Sequence, residues 1–184
     1  SPDLVIRFHG EQDSRTPARL DDLDIMHIAV RPDRLQDLYA GAILLGRVTG
    51  ADSAADSLVR ALEAGLAELS QRVEQLPRLR AVYVLGGTPP WVTGPDTYID
   101  EIIRLVGGDN AFADLQSLYS AVSPEELRTR EIDVVFVSEV SQFDRTLTPQ
   151  ARIVEIGSAL EIPGPHVVDA AWRVAELLHG TSLR

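Results

Sequence analysis

Short apolar strands alternate with amphipathic helices along the second half of the chain. Strand patterns occur at 80–87, 134–137 and 151–157, and helix patterns lie within 97–108 and 164–180. Strands that alternate with helices predict a mostly parallel sheet covered by helices on both faces. We therefore expect an α/β fold in which residues 80–184 form one complete three-layer α/β/α lobe.

A long helix is predicted immediately before this lobe, over residues 51–76. Its apolar side chains recur at spacings of three and four, at Leu58, Leu62, Leu66, Leu69, Val73 and Leu76. Asp52 or Ser53 can cap its start, and Pro77 ends the pattern. Such a helix has roughly 25 residues and a length of about 37 Å, which is long for a small domain.

The first part of the chain contains less regular structure. "DLVIRF" and "DIMHIAV" predict two short strands, joined by a polar loop and a short helix that begins near Thr16. Two strands and one helix do not close a core of their own. We therefore predict three segments, namely a partial N-terminal lobe at 1–32, an interlobe helical segment at 33–79 and the C-terminal α/β lobe at 80–184.

Composition excludes several classes of function. The net charge is −11, and all 17 basic residues are arginines. An acidic surface opposes binding to nucleic acid or to anionic membranes, because both would repel it. The chain has no cysteine, which excludes disulfides, thiolate catalysis and cysteine-ligated zinc and fits an exported protein. No apolar run is long enough to cross a bilayer.

No catalytic motif is present. The sequence lacks the glycine-rich nucleotide fingerprints, the nucleophile elbow and the paired-histidine zinc motif. The four histidines are not spaced with carboxylates or with one another as metal ligands would be; they are His9, His27, His166 and His179. We therefore expect a protein that is not an enzyme and has no resident metal.

A stiff loop, Thr88-Pro89-Pro90-Trp91, follows the strand at Val82–Leu85. In open α/β sheets ligands bind beyond the carboxyl ends of the strands, and two prolines restrict this loop to few conformations. Trp91 is therefore either a preplaced ligand contact with Thr88 beside it, or a core residue that folds back onto the sheet. Thr97 or Asp96 can cap the helix that follows.

Several segments, in this order, carry a family resemblance. They are "PDLVI", "LLGRVTGADSAADSLV", "VYVLGGTPPWVTGPDTYIDEIIRLVGGDNAF", "LYSAVSPEELRTREIDVVFVS" and "GPHVVDAAWRVAELL". The chain resembles substrate-binding proteins of ABC importers for cobalamin, haem or iron-siderophores, whose two lobes are joined by one long helix. Relative to them it lacks the start of the first lobe. The resemblance implies a periplasmic or extracellular protein, soluble or lipoprotein-anchored, that delivers its ligand to ABC permease subunits.

The resemblance also implies positions for the site. Phe8, Trp91 and Tyr119 match aromatic residues that face the ligand, and Leu85 stands where an aromatic can occur. Glu125 matches an acidic residue that docks onto the permease. The segment "SALEIPGPH" lacks a tryptophan that some members carry there.

Three ligand classes remain open, and no intrinsic cofactor is expected. A corrinoid such as cobalamin suits apolar rings with few charges, which favours Phe8, Trp91 and Tyr119. Haem requires an axial tyrosine or histidine, for which Tyr119 and His9 are candidates. An anionic iron-siderophore requires arginines, and Arg7 is the one expected near the cleft.

An alternative without a small ligand also fits the sequence. The chain could be an interaction module of the same fold that forms a homodimer through the incomplete first lobe. The short first lobe is consistent with a trimmed or incompletely ordered binding protein, with a short relative completed by another chain, or with loss of transport.

Overall fold

A computed structural model describes residues 2–9 and 15–183 of the chain. The described strands are β1 (Val5–Phe8), β2 (His27–Val30), β3 (Leu79–Gly86), β4 (Trp91–Thr93), β5 (Gly108–Asn110), β6 (Tyr119–Ala121), β7 (Val134–Val137) and β8 (Arg152–Glu155). The described α-helices are α1 (Arg15–Asp22), α2 (Leu35–Thr49), α3 (Asp52–Val73), α4 (Tyr98–Leu105), α5 (Pro124–Thr129) and α6 (Val167–His179). Three short 3₁₀ segments lie in the connections on either side of β8.

The strands form two sheets. A six-stranded sheet has the order β6-β4-β3-β7-β8, with β5 paired to the start of β3. The pairs of β3 with β5, β3 with β7 and β7 with β8 are parallel, and β4 and β6 are antiparallel additions at one side. The predicted mostly parallel sheet is confirmed. The second sheet is the parallel pair of β1 and β2.

Helices cover both faces of the larger sheet, as the strand-helix alternation predicts. Side chains of α3, α4 and α6 pack with Tyr83 and Phe136 on one face, which we call the helical face. Leu127 of α5 packs with Val82 and Val135 on the opposite face. Since adjacent residues of a strand point to opposite faces, one strand supplies both halves of the core.

Helix α3 corresponds to the predicted long helix but is shorter than predicted at both ends. It begins at Asp52 and ends at Val73, so its 22 residues extend about 33 Å. Neither Asp52 nor Ser53 caps it. Ala51 stands at the N-cap position, because the first helical hydrogen bonds run to its carbonyl from the N–H groups of Ala54 and Ala55, at 3.1 and 3.0 Å.

Helices α2 and α3 form a close antiparallel hairpin. Gly46 does not interrupt α2, which continues to Thr49, and Gly50 then takes a left-handed conformation with φ 69°. A Cβ at Gly46 would lie 2.5 Å from Cβ of Ala55, so the absence of a side chain there permits the contact between the helices. Among the described helices, none combines the length and apolar character required to cross a membrane.

Candidate functional site

A cleft of about 360 Å³ opens where the carboxyl ends of strands from both sheets meet. Phe8 ends β1, Leu85 lies near the end of β3, and Pro32 and Asp33 follow β2. The lining consists of Phe8, Pro32, Asp33, Leu85, Tyr98, Ile99, Tyr119, Glu161 and Pro163. Its position agrees with the rule that ligands bind beyond the carboxyl ends of parallel strands.

One wall of the cleft is built by the antiparallel strands β4 and β6. Thr93 pairs with Tyr119 and Trp91 with Ala121, so these side chains share one face of the sheet. The side chain of Val92 points to the other face of the sheet, where it packs in the core that contains Leu127. Trp91 therefore lies on the same face as Tyr119, but at the outer end of the strand.

The indole of Trp91 lies outside the residues that line the cleft. It is 47% exposed, and a Cβ built at Gly87 would lie 3.1 Å from its Cδ1 atom. Gly86 and Gly87 have φ of 102° and 92°, which is the conformation that glycine adopts most readily. The two glycines let the chain turn tightly beneath the ring.

Two buried phenols, Tyr98 of the lining and Tyr83 next to Glu161, are hydrogen-bonded to fixed acceptors. The hydroxyl of Tyr83 donates to Oε1 of Glu161 at 2.8 Å, and that of Tyr98 donates to the carbonyl of Leu160. Burial raises the pKa of both tyrosines well above the usual range, and the carboxylate of Glu161 adds to the effect. Both phenols are therefore neutral donors at physiological pH.

Tyr119 faces a charged pair on the opposite side of the cleft. Burial raises its pKa, the negative charge of Asp33 raises it further, and the positive charge of Arg31 opposes the shift. Nε of Arg31 lies 2.6 Å from Oδ2 of Asp33. Tyr119 therefore remains protonated at neutral pH and presents a polar tip on an aromatic body.

The segment after β2 is tied at two points to α4 and at a third to the loop before it. The N–H of Tyr98 donates to the carbonyl of Asp33 at 2.5 Å, and the N–H of Leu35 donates to Oε2 of Glu101 at 2.8 Å. A guanidinium of Arg34 pairs with Asp96. These ties fix the position of Asp33 relative to Tyr98, so the two sides of the cleft are held together.

A buried amide supports the β4 side of the cleft. Nδ2 of Asn110 donates to the carbonyls of Thr93 and Gly94, both at 3.2 Å, and to Oδ1 of Asp100 at 3.0 Å. The hydroxyl of Thr97 accepts from the N–H of Asp100 at 3.1 Å, which confirms the predicted cap of α4. The network joins the end of β4 to the first turn of α4.

The structure brings together three of the predicted ligand contacts. Phe8, Leu85 and Tyr119 all line the cleft, whereas Trp91 is exposed and is not part of the lining. His9 is exposed after β1, where its N–H donates to the carbonyl of Val30 at 2.8 Å, and its side chain is not part of the lining. The roles of these five residues in ligand binding stay predictions.

Two side chains expected near the ligand lie elsewhere. Thr88 lines a separate cavity of about 210 Å³ on the opposite side of the loop, because the chain turns over at the register shift between Val84 and Gly86. Arg7 alternates with Phe8 along β1 and contacts Nδ1 of His27 at 3.4 Å, so it is directed away from the cleft.

The structure also adds cleft residues that the sequence did not single out, above all Asp33, Tyr98 and Glu161. Asp33 follows the end of β2, so the strand-end rule that selected Trp91 applied to it as well. Glu161 follows a 3₁₀ segment, and nothing in the sequence placed it opposite Tyr83.

Glu125 lies on the first turn of α5, outside the cleft. The helix begins after Ser123, whose hydroxyl accepts from the N–H of Glu126 at 3.1 Å. The carboxylate of Glu125 is 77% exposed and lies 3.9 Å from the guanidinium of Arg128. It is therefore accessible to a partner, and its role in docking stays a prediction. In the described part of the chain, no cluster of three or more potential ligands could hold a metal ion.

A family model described as "Periplasmic binding protein" matches residues 1–150, and the chain belongs to this family. Its predicted family resemblance is thereby confirmed.

Among curated relatives, the chain is similar to a vitamin B12-binding protein of Vibrio parahaemolyticus. The two are 23% identical over 143 residues, which cover 78% of this chain and 52% of the relative. It is also 24% identical, over 120 residues, to an uncharacterized ABC transporter substrate-binding lipoprotein of Bacillus subtilis, covering 61% of this chain and 38% of the relative. The chain thus spans about half the length of these relatives, or less.

Among solved structures, it is similar to a periplasmic heme-binding protein from Roseiflexus sp. RS-1. The TM-score is 0.82 at 20% identity, covering 100% of this chain and 78% of the other. A periplasmic vitamin B12-binding protein of Vibrio cholerae gives a TM-score of 0.77 at 21% identity, covering 96% of this chain and 74% of the other. These likenesses show the shared fold. The named relatives are binding proteins, and none supports the interaction-module alternative.

Proposed function

We propose that this chain is the ligand-binding part of an ABC importer's substrate-binding protein and captures a metal chelate in the cleft. The observation that carries the proposal is the convergence of Phe8, Leu85 and Tyr119 at the strand ends of a member of the periplasmic binding protein family. In this proposal residues 1–32 belong to a first lobe, 33–79 join the lobes, and 80–184 form the second lobe.

The ligand is proposed to be a corrinoid or an iron chelate. Relatives described as vitamin B12-binding, heme-binding and Fe³⁺-hydroxamate transport proteins support this class. Aromatic and apolar side chains supply contact area, and the hydroxyl of Tyr119 orients the ligand. Among these ligands haem is the one that would use Tyr119 as an axial ligand. The raised pKa of Tyr119 works against the phenolate form that such coordination requires.

Delivery is proposed to occur at the periplasmic or extracellular face of the membrane, with Glu125 contacting the permease. Its exposed carboxylate, remote from the cleft, fits a role in docking rather than in binding. Glu125→Arg should therefore reduce uptake of the ligand by cells that carry the permease, while the dissociation constant of the purified protein stays unchanged.

Calorimetric titration with cyanocobalamin, hemin and a ferric trihydroxamate tests ligand capture. Phe8 is 64% exposed, so Phe8→Ala should leave the fold intact. If Phe8 contacts the ligand, its loss should weaken binding by roughly tenfold to a hundredfold. Met26→Ala is the matched control, because Met26 is 71% exposed and is not in the cleft lining. Failure of all three ligands to bind, or equal affinities of the wild type and Phe8→Ala, would contradict the proposal.

A further inference from the structure

The charged side chains that line the cleft are both carboxylates. Asp33 and Glu161 belong to the lining, whereas no basic side chain does among the residues that the structure describes. The sequence contains no lysine that could reach in from elsewhere. Arg31 pairs with Asp33 at 2.6 Å and offsets much of its charge, but at Tyr119 the effect of Asp33 is the larger of the two.

Glu161 is held by the fold rather than free to turn away. Its Oε1 atom accepts the hydroxyl of Tyr83, a fully buried residue, at 2.8 Å, and its N–H donates to the carbonyl of Ser158 at 2.9 Å. A carboxylate that accepts a hydrogen bond from a buried phenol has a fixed position. Its charge therefore acts on whatever enters the cleft.

The tyrosines of the cleft respond to this negative charge. The carboxylate of Glu161 contributes to the raised pKa of Tyr98, and that of Asp33 contributes to the raised pKa of Tyr119. Burial is the larger cause in both cases. Both phenols are neutral, and since the hydroxyl of Tyr98 already donates to the carbonyl of Leu160, the cleft presents the hydroxyl of Tyr119 together with a negative field.

From this arrangement we infer that the cleft selects neutral or cationic metal chelates and disfavours anionic ones, with Asp33 and Glu161 as the specificity-determining residues. The inference rests on the proposed function, because it assumes that the cleft is the ligand site. Asp33 is half-buried and paired, and Glu161 is exposed, so solvent screens both charges and an anionic ligand beside them loses affinity by several-fold.

The inference divides the candidate ligands by charge. A corrinoid without ionised side groups and a ferric trihydroxamate fit the cleft. A ferric tris-catecholate carries several negative charges, and haem carries two propionates. The carboxylates of the cleft therefore repel both ligands. The net charge of −11 acts in the same direction during approach of the ligand.

The test compares two ferric chelates of opposite character, a neutral trihydroxamate and an anionic tris-catecholate, by calorimetric titration of the full chain. The variant is Asp33→Asn combined with Glu161→Gln. The amide oxygen at position 33 can still accept a hydrogen bond from Arg31, and the one at position 161 can still accept a hydrogen bond from Tyr83. Glu68→Gln, which removes an exposed charge from α3, is the control for total charge.

The wild type should bind the neutral chelate, and the double variant should bind the anionic chelate roughly five- to tenfold more tightly than the wild type does. Affinity for the neutral chelate should change by less than about threefold, and Glu68→Gln should change neither affinity. A wild type that prefers the anionic chelate, or a double variant with an unchanged ratio, overturns the charge selection and leaves the proposed function standing. If neither chelate nor cyanocobalamin binds, both are overturned.

Discussion

Replacing Asn110 by alanine is the sharpest test of how the cleft is supported. Asn110 is the only asparagine of the sequence and is 7% exposed. Its amide donates to the carbonyls of Thr93 and Gly94 and to Asp100, and its Oδ1 accepts the N–H of Phe112 at 3.0 Å. Alanine removes all four hydrogen bonds and leaves their partners in a buried environment.

The size of the effect follows from which partners stay unsatisfied. Each buried polar group left without a partner costs about 1–3 kcal/mol. Gly94 keeps a second donor in the hydroxyl of Thr97 at 3.3 Å, and Asp100 keeps the guanidinium of Arg104. The N–H of Phe112 loses the acceptor on Asn110. We therefore expect a loss of about 2–4 kcal/mol in the free energy of unfolding rather than the full sum.

Urea denaturation followed by circular dichroism measures this loss. The midpoint should fall while the slope of the transition stays the same, which is the signature of lower stability without a change in the surface exposed on unfolding. Gln116→Ala is the matched control, because Gln116 is exposed and makes only a 3.5 Å contact with the carbonyl of Asp114. A loss below about 1 kcal/mol for Asn110→Ala would refute the reasoning.

Three further predictions concern other parts of the fold. Leu69→Ala opens a cavity in the fully buried core beneath α3 and should cost about 2–5 kcal/mol, seen as a drop of roughly 5–15 °C in Tm by calorimetry. Asp114 has its pKa lowered mainly by the hydrogen bond from Arg130, so this stabilisation exists above the unfolded pKa and is lost as the pH falls through the lower folded value. Asp114→Asn should therefore lose less stability than the wild type in urea titrations between about pH 4 and pH 2. Tyr119→Phe should remove one phenol that titrates above its ordinary value of 10.0 in ultraviolet difference spectra; a lost transition at or below that value would contradict the raised pKa.

Periodicity predicted the layers of this protein because both faces of its strands are buried. Alternate residues of "AVYV" and of "VVFV" belong to the two cores on opposite faces of the sheet. A continuous run of apolar residues was therefore enough to indicate a central parallel strand. The leucines of α3 likewise located its buried side. The cap at Thr97 was found because its chemistry is local, whereas the start of α3 at an alanine carries no such signal.

The cleft was only partly predictable because it joins residues that are distant in the chain. Phe8 and Tyr119 were selected by resemblance, and alternation along the strands directs both to the cleft. Thr88 could not be assigned to a side of the loop, since the turn at Gly86 and the register shift decide it. Glu161 was out of reach, because its position depends on a hydrogen bond to Tyr83 that only the assembled fold creates.

The two tryptophans differ in exposure, so their fluorescence can be separated. Trp172 of α6 is 8% exposed and belongs to the main core, whereas Trp91 of β4 is 47% exposed. An aqueous quencher should reach the indole of Trp91 and spare that of Trp172, so the two emissions separate without any attached dye. The fluorescence lost to the quencher then reports the surroundings of Trp91, and the remaining fluorescence reports whether the core around Trp172 is intact.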